Sequence, residues 1–75
     1  MGEPSALGRN LLRLREARGL SQAALARAAE VSQALISRLE AGERQDAGGA
    51  LLQRIARALG VTVDELLRDE PQPAP

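Results

Sequence analysis

Apolar residues recur along this chain at helical spacing, and glycines separate the stretches in which they do. Leu7, Leu11 and Leu14 repeat at i, i+4 and i+7, which predicts a first helix from Ser5 or Ala6 to Arg18 with Gly19 as its stop. Ser21 is a good N-cap for a short second helix ending near Ala29, with Leu25, Ala26 and Ala29 facing inward. Ser32 is the next N-cap, opening a third helix that runs to Ala41 and ends at Gly42. A fourth helix is expected from about Ala50 to Leu59, with Leu52, Ile55, Ala56 and Leu59 inward and Gly60 as its stop. Thr62 followed by Glu65 three positions on is a capping box. It opens a brief fifth helix with Val63, Leu66 and Leu67 on its apolar side. The pattern is all-α: five helices in one domain over residues 6–68. A flexible start is expected over residues 1–5, and the Pro-rich segment 69–75 is expected to be disordered or extended.

Composition narrows the chemistry. The chain has 75 residues, so one marginally stable domain is the upper bound, and a partner subunit would help it. No Phe, Tyr or Trp is present, so the core must be aliphatic. Cys, His and Lys are absent as well. That removes thiol nucleophiles, imidazole bases, the usual zinc ligands, a P-loop lysine and a Schiff-base lysine. No enzyme, metal or cofactor is expected. Formal net charge is zero, but it is unevenly spread. From Ser5 to Gln45 arginines 9, 13, 15, 18, 27, 38 and 44 outweigh Glu16, Glu30, Glu40 and Glu43, whereas from Asp46 onward acids outnumber arginines. A basic front and an acidic rear suit one surface for nucleic acid and another for a different contact. No apolar run approaches a membrane span, no signal peptide is visible, and Ala6 stands where a myristoylation motif wants Ser or Thr. A cytoplasmic address is the default expectation.

The third helix carries the functional signal. At about 100° per residue, Leu35, Ile36 and Leu39 share one arc, while Gln33, Ala34, Ser37, Arg38 and Ala41 share the opposite one. One side packs down and the other is offered outward. The outward side holds types suited to base edges: Arg for guanine, Gln for adenine, and small residues that allow close approach or touch a thymine methyl. A solvated polar face alone would look similar.

The surrounding pattern favours the sharper reading. From Gln22 to Leu39 the chain reads QAALARAAEVSQALISRL: Gln, then Ala four on, Val nine on, Ile fourteen on and Leu seventeen on. Small Ala26 lets two helices cross closely, Val31 plugs the turn, and Ile36 and Leu39 fasten the third helix down. This segment resembles the helix-turn-helix of the Cro/CI, or XRE-type, transcriptional regulators. The flanks LRLREARGLSQAALA, ISRLEAGE and LLQRIARALGVTVDELL resemble that family too, so the likeness spans roughly Leu7 to Leu67.

The resemblance implies a lambda-repressor-like fold whose third helix enters the DNA major groove. Gln33, Ala34, Ser37 and Arg38 then map onto base-reading positions. Gln22 maps onto a phosphate-gripping position that also braces the recognition helix, aided by the amides at its helix N-terminus. Ser32 and Arg44 map onto backbone contacts, with Gln45 and Asn10 as further candidates. The family's internal ion pair maps onto Arg15 and Glu40, and Arg15 could also reach phosphate. Val63, Leu66 and Leu67 form the expected dimer surface, giving a homodimer on a roughly palindromic operator with half-sites about one DNA turn apart. The remaining charges read as bland: Arg27, Arg54, Arg57 and Arg68 as solvated faces, Asp64 and Glu65 as complements to a helix dipole.

Three departures qualify the match. Glu30 stands in the turn where the family usually has Gly, at a cost of about 1 kcal/mol if the backbone there is left-handed. The loop ERQDAGGA departs from the family's usual run of basic residues, a proline and an apolar residue: Glu43 and Asp46 would repel phosphate, and Gly48 and Gly49 add flexibility. The overall charge is neutral. Together they predict modest non-specific affinity and a shallow salt dependence, and they leave room for a protein partner. The leading expectation is a double-stranded-DNA-binding transcriptional regulator, a repressor acting as a dimer. The alternative is an interaction module of the same fold, an antitoxin or adaptor working mainly through a protein partner. The chain would also suit the N-terminal domain of a longer regulator.

Overall fold

The computed structural model describes residues 6–44 and 47–68. Five helices follow one another: α1 (Ala6–Ala17), α2 (Gln22–Ala29), α3 (Gln33–Ala41), α4 (Gly49–Leu59) and α5 (Val63–Leu67). The all-α, five-helix architecture read from the sequence is the one observed. Helix boundaries differ from the expected ones by one residue, at the end of α1 and the start of α4. The expected flexible termini, residues 1–5 and 69–75, and the candidate contact Gln45 lie outside the described residues.

Local chemistry sets the boundaries. The hydroxyls of Ser21, Ser32 and Thr62 accept from the backbone N–H groups of Ala24, Leu35 and Glu65, each at 3.0 Å. Glu65 returns the contact to the Thr62 N–H at 2.8 Å, completing the capping box. At the other ends, α1 to α4 close with one recurring pair of backbone bonds. A left-handed residue just past the helix donates three residues back, and the next residue donates five back: Gly19 and Leu20, Glu30 and Val31, Gly42 and Glu43, Gly60 and Val61. This closure needs a left-handed residue. Three of the four positions are glycine; the other is Glu30, at φ 61° and ψ 45°.

The core is wholly aliphatic. Leu11, Leu25, Ile36, Leu39, Ile55, Leu59 and Leu66 are its fully buried large side chains, each contributing roughly 1.5–3 kcal/mol on burial. Helix α3 packs on α1 and α2, α4 packs on α2, and α5 packs on α1 and α4. Two core members stand outside the sequence expectations. Ala47 is buried although it sits in the loop before α4. Gly8 is buried where α1 crosses α3, and a methyl group there would run into the Leu39 carbonyl oxygen. One expectation is corrected: Leu66 has no exposed surface, because it is the side chain by which α5 enters the core. It therefore cannot belong to a dimer surface. Val63 is half-buried and Leu67 is 46% exposed. Among the described residues, no helix is long and apolar enough to cross a membrane.

Candidate nucleic-acid interface

Leu35, Ile36 and Leu39 hold α3 down by its buried arc, while Ser32, Gln33, Ala34, Ser37, Arg38 and Ala41 are exposed on the other. The α2–α3 corner is fixed by the closure at Glu30 and Val31, with Val31 packed against the core. Ser32 uses its oxygen to cap α3 and keeps its own O–H proton available to donate outward. Arg38 and Arg44 are exposed, and backbone bonds from Glu43 and Arg44 to the Arg38 carbonyl fold the following loop back onto the end of α3. Exposed Glu43 lies in that loop, so a carboxylate belongs to the segment whose backbone folds onto the end of α3.

Beneath this face lies a polar hub that joins three helices. Arg15 Nε donates to Glu40 Oε2 at 2.6 Å, and Arg15 Nη2 donates to Glu40 Oε1 at 3.0 Å. Gln22 Nε2 donates to the same Oε1 at 3.0 Å, and Arg15 Nη1 donates to the Leu20 carbonyl at 2.7 Å. The side chains of Arg15 and Glu40 are 13% and 6% exposed. A two-pronged, largely desolvated pair of this kind is among the stronger charge contacts a protein makes. The hydrogen bond to Glu40 raises the Arg15 pKa above its ordinary value, against the opposing effect of burial. The last turn of α3 is thus tied to the end of α1 and the start of α2. Gln22 is half-buried and committed to Glu40 through one amide proton, so it braces α3 from the first position of α2. Three of the five guanidinium N–H groups of Arg15 are spent inside the protein, leaving little of that side chain for a phosphate.

Asn10 is a correction. Its amide nitrogen donates to the carbonyls of Glu65, Leu66 and Arg68 at 3.3, 2.8 and 2.9 Å, and its oxygen accepts from Arg13 at 3.3 Å. The side chain caps the end of α5 and has no donor left for DNA. The sequence offered no hint of this, because the acceptors lie more than fifty positions away. Gly8 did leave a hint: a glycine inside a helical pattern is costly and often marks a close approach.

The helix-turn-helix family model matches residues 11–66. The chain belongs to this family. No curated protein matches it significantly, but solved structures do. The restriction-modification controller protein C.AhdI from Aeromonas hydrophila is 31% identical with a TM-score of 0.76, over 81% of this chain and 91% of that one. The clp gene regulator ClgR from Corynebacterium glutamicum is 34% identical with a TM-score of 0.77, over 85% of this chain and 67% of that one. Hydroxypropylphosphonic acid epoxidase from S. wedmorenis also matches, at 26% identity and a TM-score of 0.77, but over only 34% of its own length. This helix-turn-helix domain is thus of the kind that transcription regulators carry, and the same unit also occurs as a minor part of a larger enzyme.

Proposed function

We propose that this helix-turn-helix domain is a sequence-specific binder of double-stranded DNA and acts as a repressor, with α3 in the major groove. Gln33, Ala34, Ser37 and Arg38 read bases, and Gln22, Ser32 and Arg44 contact phosphates. The observation that carries this reading is the outward arc of α3. It is exposed, rich in hydrogen-bonding groups, and held from behind by three buried apolar side chains and the Arg15–Glu40–Gln22 hub. A rigid element that presents polar groups is what base readout requires. The protein works as a dimer on a two-fold site in the cytoplasm, with Val63 and Leu67 of α5 meeting their counterparts. Selection of duplexes from a random pool tests this directly. A two-fold consensus with half-sites about one DNA turn apart is expected; recovery of no enriched sequence would reject it.

The zero net charge and the exposed Glu43 beside α3 favour a second reading, an adaptor or antitoxin acting through a protein partner. A stable protein complex without measurable duplex affinity would support that reading instead.

A further inference from the structure

Helix α5 has five residues, too few to persist on their own. Its N-terminus is held by the Thr62 capping box and its middle by Leu66. Its C-terminus ends in carbonyls that no following turn of helix can satisfy. The amide of Asn10 supplies those partners, sharing its two N–H groups among Glu65, Leu66 and Arg68. Arg13 in turn holds the Asn10 oxygen, which orients the amide. Asn10 sits on α1, the same helix that meets α3 at Gly8 and at Arg15. One helix therefore fixes both the reading element and the element that carries Leu67, an exposed large apolar side chain.

We propose that Asn10 is a positioning residue that sets the distance between the two DNA half-sites. It clamps the end of α5 to α1, so that the orientation of the dimer-forming helix is locked to that of α3. The inference rests on the dimer reading above. Without the clamp, α5 stays attached through Leu66 but its end swings, and the two recognition helices lose their fixed separation. Each domain still reads its own half-site.

The test uses the full chain and selected duplexes: one with a single half-site, and a series with two half-sites whose spacing changes one base pair at a time. The wild type should favour one spacing sharply. Asn10→Ala should flatten that preference and bind the best two-site duplex at least about tenfold more weakly, because avidity depends on geometry. Its affinity for a single half-site should stay within about twofold, since the phosphate and base contacts are intact. Asn10→Asp keeps the shape and removes the donors, so it should behave like Asn10→Ala. An unaltered spacing preference in both variants would overturn the proposal. So would loss of single-site binding in both, which would make Asn10 a support of the whole fold. A wild type indifferent to spacing would instead remove the dimer reading itself.

Discussion

Glu30 and Arg15 illustrate opposite local economies. At Glu30 the backbone adopts the left-handed conformation that three sister closures give to glycine. Its carbonyl accepts from Arg54 Nη1 at 3.4 Å, a bond any residue at that position could receive. Glu30→Gly should therefore raise stability by about 1 kcal/mol, seen as a higher urea midpoint; a lower midpoint would mean that the Glu30 side chain holds something essential. At Arg15 the side chain satisfies the Glu40 carboxylate of α3 and the Leu20 carbonyl of the α1–α2 link at once. Arg15→Ala should cost about 2 kcal/mol or more, because it strands the Glu40 carboxylate, and a double-mutant cycle with Glu40→Ala should show coupling. The raised pKa keeps the guanidinium charged, so its contribution is fully present below the ordinary arginine pKa and is lost only as pH rises through the higher folded value. No loss attributable to this cation is expected in the usual alkaline range.

Among the elements, α1 governs the arrangement. Its close crossing with α3 depends on the missing side chain at Gly8. Gly8→Ala adds intrinsic helix propensity yet should destabilise the domain by about 1–3 kcal/mol, since a backbone carbonyl stands in the way. Calorimetry would show a lowered Tm, and a raised one would mean that the helices part easily. The element boundaries were legible because caps and stops act on their immediate neighbours: Ser21, Ser32, Thr62 and the glycines each bond within a few residues. The outward face of α3 was legible from periodicity for the same reason. Gly8 left only the general hint of a glycine inside a helix, and Ala47 and Asn10 left none, because their partners are atoms that sequence distance hides. Leu66 was misassigned because a five-residue helix is too short for periodicity to separate its buried side from its exposed one.

For the molecule as a whole, Leu67 is the exposed large hydrophobic side chain among the described residues, flanked by half-buried Val63. A stable dimer typically hides about 800 Å² per partner around an apolar centre, and this patch is small by that measure. Sedimentation should find the free protein largely monomeric at low micromolar concentration and paired on a two-site duplex. Leu67→Glu should weaken two-site binding while leaving the helical content unchanged. Zero net charge also limits counterion release. Affinity for random duplex should fall with salt less steeply than for a strongly basic repressor.

The most direct measurement compares wild type and Arg38→Ala on a selected duplex and on its single-base variants. If α3 reads the major groove, the variant should lose about 1–3 kcal/mol on the selected sequence. It should also become indifferent to the base at one position per half-site, with discrimination elsewhere retained. An identical binding profile for the two proteins at every position would contradict the account.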